Sequence, residues 1–261
     1  MFIEERHQAI LDTIAKNGSI TTGEIQEKYG VSYDSAKRDL RILEEKGLLK
    51  RTHGGAIPLH KIGWDGNCSD LTSQERVGEN IKENYLAIAK RAVSLIEEKD
   101  VIWLPGASIG YLMTKNMPPE LHCTVATNSI TIADTLRGHE NITVLLTGGE
   151  VQKNGCSYDA FTTHMIRRLH FDKCFMTSAC ISSSFGLSIQ RTRNLELTKA
   201  VLDGSQSVIG LYPTEKIGHD SIVSICPADT LDILVTDWNA SEEDLRGFDE
   251  LGIQIEIVEQ E

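Results

Sequence analysis

The stretch TTGEIQEKYGVSYDSAKRDL, residues 21–40, decides how the amino-terminal part of the chain folds. Thr21 and Glu24 have the spacing of a capping box, which predicts the start of a short helix. Gly30 ends that helix, because glycine tolerates the left-handed conformation at a helix carboxyl end. Ser32 is a good N-cap for the helix that follows. The stretch therefore predicts two helices joined by a tight turn.

The second of these helices is predicted over residues 33–46, with one apolar side and one polar side. Ala36, Leu40 and Leu43 recur at helical spacing and are expected to be buried. The opposite side carries Asp34, Lys37, Arg38 and Arg41. A DNA recognition helix needs this arrangement, because its amino-terminal end enters the major groove, where long polar side chains meet base edges.

The flanking segments complete a small module over residues 1–57. A first helix is predicted over residues 4–16, and residues 48–57 have the pattern of a strand, a glycine turn and a returning strand. This basic hairpin is a candidate wing, directed at phosphates or at the minor groove. The residues predicted to contact DNA are Ser32, Tyr33, Asp34, Ser35, Lys37, Arg38, Arg41, Lys50, Arg51 and His53. The alternative is a helical bundle whose basic face is merely solvated; the turn spacing and the hairpin favour DNA binding.

The charge of the chain is unevenly divided. Residues 1–60 contain nine Lys and Arg and nine Asp and Glu, so the remainder carries the whole net charge of −12. A neutral module with a basic edge, attached to an acidic body, indicates a polyanion partner at one end only. The predicted partner is a double-stranded DNA operator. A homo-oligomer, dimer or tetramer, is expected because specific binding usually joins two half-sites about 34–36 Å apart.

The composition excludes several other classes of protein. The 261 residues are 40% hydrophobic and 25% charged, which rules out a mainly disordered chain. No uncharged stretch is long and apolar enough for a membrane span, and the amino end lacks the pattern of a signal peptide. A cytoplasmic protein without a membrane partner is therefore expected. The six cysteines lack ligand-like spacing, so no metal site is predicted. No cofactor is predicted either.

The rest of the chain is predicted to be a linker, residues 58–79, and an α/β domain, residues 80–261. The linker has no sustained period. Beyond it, short apolar runs alternate with helical patterns, which is typical of a largely parallel sheet. The predicted strands are 101–104, 122–126, 142–146, 171–176, 207–211, 222–225, 233–236 and 253–258. The predicted helices are 81–98, 129–137, 160–169, 192–203 and 241–250.

Four loops at the predicted carboxyl ends of strands are candidates for a ligand site. Ligands bind at that edge of open α/β sheets, and hydroxyls, backbone amides at helix starts and one lysine suit a phosphorylated or hydroxylated small molecule. The alternative is that these are tight turns, which need glycine and hydroxyl caps in any case. The residues predicted to bind an effector are Gly106, Ser108, Thr127, Asn128, Gly148, Gly149 and Lys216.

Residues 6–56 resemble the helix-turn-helix of the DeoR family of bacterial transcriptional regulators. The resemblance is carried by Arg6, Ile10-Leu11, Ile14, Gly18, Ile25, Tyr29-Gly30-Val31-Ser32, Lys37-Arg38-Asp39-Leu40, Leu43-Glu44, Gly47 and Arg51-Thr52-His53-Gly54-Gly55-Ala56. The family usually has Thr-Ile-Arg-Arg-Asp-Leu in its recognition helix, where this chain has Ser35-Ala36-Lys37-Arg38-Asp39-Leu40. One bidentate arginine is thus replaced by lysine, which implies a different preferred DNA sequence.

Residues 76–240 resemble the sensor domain of the same family, which is similar in fold to ribose-5-phosphate isomerase. The matching residues are Thr127-Asn128-Ser129, Gly148-Gly149, Asp172-Lys173-Cys174-Phe175, Gly186-Leu187, Lys216-Ile217-Gly218 and Thr236-Asp237. Family members typically sense a phosphosugar and then release their operator. The resemblance therefore implies that Asn128, Gly148 and Lys216 contact an effector.

Departures from the family pattern leave three functions to compare. At residues 105–109, 179–182 and 213, the chain lacks carboxylates and threonines that the family carries. The first function is a repressor of a carbohydrate-metabolism operon, released by a sugar-phosphate-like effector. The second is a DNA-binding oligomer whose body senses nothing. The third is a sugar-phosphate isomerase, for which Asp237 and Glu215 are the available carboxylates. Because the altered loops contain no carboxylate, a regulator that is not an enzyme is favoured.

Overall fold

The structure is a computed structural model that describes residues 3–17, 20–45, 48–52, 54–58, 72–77 and 82–260. The chain divides into two compact units, Met1–Trp64 and Asp65–Glu261. Each unit has hydrophobic core residues of its own. Among the helices in these ranges, none is long and apolar enough to cross a membrane.

Three helices form most of the first unit: α1 (Ile3–Asn17), α2 (Thr22–Tyr29) and α3 (Tyr33–Glu45). The predicted capping box is confirmed, because Thr21 Oγ1 accepts from the Glu24 N–H and the Glu24 carboxylate accepts from the Thr21 N–H. Gly30 has a φ of +64°, the left-handed conformation predicted for it. The three helices share one core, which includes Ile10, Ile14, Ile25, Ala36, Leu40 and Leu43.

Three short strands complete the first unit: β1 (Ile20–Thr21), β2 (Leu49–Thr52) and β3 (Gly55–Pro58). They form an antiparallel sheet in the order β1-β3-β2, and the β2–β3 hairpin is the predicted wing. The sequence does not predict β1, since two residues cannot display an alternating pattern. Gly55 is required where β3 meets β1, because a Cβ there would overlap the carbonyl oxygen of Ile20. The first unit is therefore a winged helix-turn-helix.

The described part of the second unit contains ten strands. They are β4 (Val101–Trp103), β5 (Cys123–Thr127), β6 (Ile142–Leu146), β7 (Phe171–Met176), β8 (Cys180–Ser182), β9 (Gly186–Ile189), β10 (Ser205–Leu211), β11 (Val223–Cys226), β12 (Ile233–Asp237) and β13 (Gln254–Val258). Seven form a parallel sheet in the order β13-β12-β10-β7-β4-β5-β6, as predicted. The other three form a separate antiparallel sheet in the order β11-β9-β8. The apolar run predicted as a strand at 222–225 thus lies outside the parallel sheet.

Helices cover both faces of the parallel sheet. They are α4 (Ser73–Val77), α5 (Glu83–Ser94), α6 (Ser108–Asn116), α7 (Ile130–Leu136), α8 (Ala160–Ile166), α9 (Leu195–Asp203) and α10 (Glu242–Glu250), with short 3₁₀ helices at Thr192–Asn194, Thr214–Lys216 and Ala228–Thr230. Side chains of α5, α6 and α7 pack into one core cluster, and side chains of α8, α9 and α10 pack into another. The second unit is an α/β domain with a layer of helices on each face of the sheet.

Two of these helices differ from the sequence prediction. α4 lies inside the segment predicted as linker, 58–79, and packs against α6 and α7, so residues 73–77 belong to the second unit. α6 was not predicted because six of its nine residues are buried, and a helix buried on most sides shows no amphipathic period.

Candidate nucleic-acid interface and effector cavity

Helix α3 presents a continuous polar face in the first unit. Ser32 Oγ accepts from the Ser35 N–H at 3.2 Å, which is the predicted N-cap. Ala36, Leu40 and Leu43 are buried beneath the helix. The predicted DNA-contacting residues on its other side are all exposed: Tyr33, Asp34, Lys37, Arg38 and Arg41. The structure therefore brings most of the predicted DNA-binding residues together on one surface.

A contact within this face was not predicted. Lys37 Nζ lies 4.6 Å from the centroid of the Tyr33 ring, and Tyr33 itself is 46% exposed. A cation over an exposed aromatic ring is stabilised by about 0.5–1 kcal/mol. The spacing of four residues on a helix is the signal that could have indicated this pair. The contact limits the positions that the Lys37 ammonium samples at the start of the helix.

The wing is connected to the end of α3 through Glu44. The Glu44 carboxylate accepts from the backbone N–H of Arg51 at 2.9 Å, and it lies 3.8 Å from the Arg51 guanidinium. Both side chains are partly exposed, so Arg51 remains accessible at the surface. The side chain of Lys50 and the whole of His53, which were predicted to contact DNA, lie outside the described residues.

A buried polar cluster joins α1 to α3 on the side opposite the polar face. Arg6 Nε donates to Asp39 Oδ2 at 2.7 Å, and His7 Nε2 lies 3.1 Å from Asp39 Oδ1. All three residues are at least nine-tenths buried. The hydrogen bond to Asp39 raises the pKa of Arg6 more than burial lowers it, so the guanidinium stays charged. Asp39 is a carboxylate on the apolar side of α3, and this position is the sequence signal that indicates a buried partner.

In the second unit, a cavity opens at the carboxyl ends of the central strands. The space enclosed between its walls, including the part open to solvent, is about 510 Å³. It is lined by Trp103, Pro105, Gly106, Ala107, Asn128, Tyr158, Met176, Thr177, Asn194, Leu197 and Thr198. Amides, hydroxyls and aromatic rings dominate this lining, and none of these eleven residues carries a carboxylate.

Three of the predicted effector residues lie at this cavity or directly behind it. Gly106 and Asn128 line it, and the Asn128 amide is held in place by donating to the Ser157 carbonyl at 2.8 Å. Lys216 Nζ donates to the hydroxyl of Thr177, a lining residue, at 3.2 Å. The ammonium group therefore stands one side chain away from the cavity.

The other four predicted effector residues do not line the cavity. Ser108 begins α6, and Thr127 is fully buried with its hydroxyl accepting from the Ser129 N–H. The Gly148 carbonyl accepts from the Thr162 hydroxyl at 2.7 Å. Gly149 has a φ of +142° and packs against the side chain of Asp159. The loop after β6 is thus held by the start of α8.

Tyr158, Asn194 and Thr198 also line the cavity, although no sequence motif indicated them. Burial raises the pKa of Tyr158, so its phenol stays neutral, and its hydroxyl accepts from Asn154 Nδ2 at 3.0 Å. The Arg193 guanidinium lies 5.2 Å from the centroid of the Tyr158 ring. Tyr158 comes from a loop without a recognisable motif, and only the folded chain brings it beside Asn194.

The two carboxylates considered for catalysis are engaged in structural contacts. Asp237 is fully buried and accepts hydrogen bonds from Thr214, Asn239 and Asn84. Burial raises its pKa, but the hydrogen bonds from Thr214 and Asn239 lower it by more, so the pKa of Asp237 lies below its usual value. Glu215 accepts from Lys82 at 3.0 Å and from Asn84 at 3.3 Å.

Comparison with known families and proteins accounts for both units. A family model described as the DeoR C terminal sensor domain matches residues 81–238, and a model of the DeoR-like helix-turn-helix domain matches residues 6–61. The HTH-type transcriptional regulator GolR of Listeria innocua is 30% identical over 99% of this chain and 100% of its own length. The HTH-type transcriptional repressor GlcR of Bacillus subtilis is 29% identical over 100% of this chain and 98% of its own.

Two further comparisons differ in strength. The lactose phosphotransferase system repressor of Staphylococcus epidermidis is 30% identical over 97% of this chain and 98% of its own. The structure of ribose 5-phosphate isomerase A from Methanocaldococcus jannaschii superposes with a TM-score of 0.35 at 16% identity, over 48% of this chain and 50% of that chain. A superposition of that quality carries no argument about function.

The winged module and the full-length relatives define a DNA-binding transcriptional regulator. The chain belongs to the DeoR family, whose helix-turn-helix and sensor models match it in order along the sequence. The resemblance that the sequence predicted is thereby confirmed.

Proposed function

We propose that this protein is a cytoplasmic repressor of a carbohydrate-metabolism operon, which a sugar-phosphate-like effector releases from its operator. The observation that carries the DNA-binding part is the exposed polar face of α3. Lys37 and Arg38 are exposed on this face with Tyr33 beside them. In this proposal Lys37 and Arg38 read base edges, and Arg41 and Arg51 contact phosphates. Two of the relatives are named as repressors, which supports repression as the direction of regulation. One of them is the repressor of a lactose phosphotransferase system, which supports a carbohydrate operon as the target.

The cavity supports the effector part of the proposal. Its amides and hydroxyls match sugar hydroxyls. Gly106 and Ala107 line it immediately before α6, whose N-cap Ala107 provides no side-chain hydrogen bond. The amino end of a helix attracts anions. Lys216 behind Thr177 and Arg193 beside Tyr158 add positive charge around the same cavity.

Catalysis is not part of the proposed function. Proton transfer on a sugar phosphate requires a positioned acid or base. Asp237 is fully hydrogen-bonded, and Glu215 is paired with Lys82 and Asn84. We infer that both carboxylates stabilise the fold around the 3₁₀ helix Thr214–Lys216.

Selection from a random duplex pool tests the DNA-binding part. The full chain is compared with the double variant Lys37→Ala/Arg38→Ala at one stated salt concentration. Enrichment of a repeated motif by the wild type alone is expected. Enrichment of the same motif by both proteins would exclude α3 as the reading element.

Thermal unfolding with a panel of sugar phosphates, free sugars and polyols tests the effector part. A ligand at a hundredfold excess over its Kd stabilises the protein by about 2.7 kcal/mol. The same ligand must also weaken operator binding. Lys216→Met is expected to abolish the response to phosphorylated ligands, whereas Lys199→Met, an exposed lysine on α9 outside the cavity lining, retains it. No shift with any compound would favour a body that senses nothing.

A further inference from the structure

Six apolar side chains around the last strand of the parallel sheet face solvent. We call this surface the β6 patch, which consists of Ile130, Leu145, Leu146, Val151, Phe161 and Met165. Phe161 is 80% exposed, and the other five are 39–49% exposed. Single exposed apolar residues are common on protein surfaces, whereas a group of six on adjacent elements marks an interaction surface.

Hydrogen bonds join the elements that carry the β6 patch, and the patch wraps around the sheet edge because the successive residues Leu145 and Leu146 point to opposite faces of the sheet. The Ile130 N–H donates to the Gly155 carbonyl at 2.9 Å, which joins the start of α7 to the loop before α8. Val151 forms a β-bridge with Ser157 in the same loop. The bond from Thr162 to Gly148 then joins α8 to the residues that follow β6.

The edge strand beneath the patch lacks the two sequence features that protect edges from pairing, charges and prolines. β6 is the terminal strand of the sheet, and its sequence ITVLL contains neither a charge nor a proline. The opposite edge, β13, carries Glu256, which is paired with Arg91 at 2.7 Å, and Glu259 follows directly. Proteins usually protect exposed edges with charges, prolines or a covering element. The two edges of this sheet therefore differ, and β6 is the edge suited to contact another surface.

The exposed area matches what an association of two copies needs. The six side chains present roughly 500 Å² of apolar surface, near the upper end of what one patch on a monomer shows. A two-fold contact buries this area twice, roughly 1,000 Å², which is most of the apolar part of an interface of standard size. Phe161 is the most exposed of the six side chains, and large aromatic side chains are among the residues that contribute most to interface energies.

We infer that the β6 patch is the surface through which two copies of this chain associate, in a two-fold contact that runs along the β6 edge and includes Phe161. In a two-fold contact the same patch on each copy meets its equivalent. An uncharged strand edge with apolar neighbours suits such a contact, because no like charges are brought together. The choice of a second copy as the occupant rests in part on the proposed function, because reading two operator half-sites requires two helix-turn-helix units.

Sedimentation velocity of the full chain over a range of concentrations tests this inference. The variants are Phe161→Glu and, as the matched control, Ile257→Glu, which places the same charge on a half-exposed residue of the opposite edge strand β13. Glutamate in the first turn of α8 is favourable for the helix, so Phe161→Glu is expected to fold. The wild type and Ile257→Glu are expected to form a dimer or tetramer, and Phe161→Glu to have half their mass.

Circular dichroism shows whether each variant is folded, and a second variant replaces Phe161→Glu if that protein does not fold. If Phe161→Glu does not fold, Met165→Glu tests the same helix face, because Met165 is one turn further along α8. A monomeric wild type overturns the inference, and so does an unchanged mass of the folded patch variants. A halved mass for Ile257→Glu alone also overturns it.

The same experiment separates this inference from the proposed function. If the wild type associates through the patch but selects no DNA motif, the proposed function fails and the interface stands. If the wild type selects a motif while Phe161→Glu keeps the wild-type mass, the interface fails and the proposed function stands.

Discussion

Arg6 on α1 and Asp39 on α3 form a buried ion pair, with Nε donating to Oδ2 at 2.7 Å and Nη2 donating to Oδ1 at 3.2 Å. The pair lies on the face of α3 that points away from Lys37 and Arg38. Two parallel hydrogen bonds from a planar guanidinium stabilise the pair and also restrict the relative orientation of the two side chains. The contact therefore sets how the recognition helix is rotated against the rest of the winged module.

Removing the charge of Asp39 is expected to destabilise the first unit. Asp39→Asn leaves the Arg6 guanidinium buried without a counter-ion, and breaking one partner of a buried pair costs ~3–5 kcal/mol. The control is Asp34→Asn on the same helix, which is exposed and is expected to change the free energy of unfolding by about 0.5 kcal/mol or less. Urea unfolding followed by circular dichroism measures both. Equal midpoints for Asp39→Asn and the wild type would show that the ion pair does not stabilise α3.

Removing the charge of Glu44 is expected to strengthen DNA binding. Glu44 lies 3.8 Å from the Arg51 guanidinium and partly neutralises it. In Glu44→Gln the charge of Arg51 is no longer partly neutralised, so Arg51 attracts a DNA phosphate more strongly and the affinity for all DNA sequences rises. The slope of log affinity against log salt concentration becomes steeper, by up to about the release of one counter-ion. Glu27→Gln on α2 removes the same charge away from the wing and is the control. Fluorescence anisotropy at several salt concentrations gives the slopes; identical slopes for the two variants would contradict the role of Arg51.

A methyl group at position 106 is expected to distort the cavity. A Cβ on Gly106 would overlap the sulfur of Cys156, so the loop that carries Gly106 and Ala107 must shift. Such overpacking costs ~1–3 kcal/mol, and the stabilisation by an effector is expected to be lost. Gly138→Ala is the control, because a Cβ there meets nothing within 4 Å. Thermal unfolding with and without the effector distinguishes the two variants. A Gly106→Ala protein that still responds to the effector would separate this loop from the binding site.

The stability of the second unit is expected to fall in acid through Asp237. Its pKa in the folded protein lies below the unfolded value, so its contribution is fully present above the unfolded pKa of about 3.9 and is lost as the pH falls through the folded pKa. Asp237→Asn removes this dependence and also lowers stability at neutral pH. Urea unfolding at pH 7, 5 and 3.5 measures both effects. A wild type and a variant with parallel pH profiles would contradict the assignment.

The elements that the sequence predicted are those whose signal is local. Thr21, Glu24 and Gly30 act through neighbours within a few residues, so capping and turn chemistry revealed them. The parallel strands followed from continuous apolar runs. The sequence did not predict α6, because a helix buried on most sides shows no amphipathic periodicity. It did not predict the Arg6–Asp39 pair, because the two residues are 33 positions apart in the chain.

The site residues show the same division. Gly106 and Asn128 were found because ligands bind where parallel strands end, and the structure places both at the cavity. Tyr158, Asn194 and Thr198 reach it from segments far along the chain, and their side chains are typical of many ordinary loops and helices. Their approach depends on how the layers pack, which a single sequence does not display.

The affinity of the wild type and of Arg38→Ala for the selected operator and for a scrambled duplex, at one salt concentration, tests the central claim most directly. Arg38 is exposed on the polar face of α3. If it contacts base edges, its removal costs about 1–3 kcal/mol on the operator and much less on the scrambled duplex. Equal losses on both duplexes, or no loss on the operator, would contradict the account that α3 reads the DNA sequence.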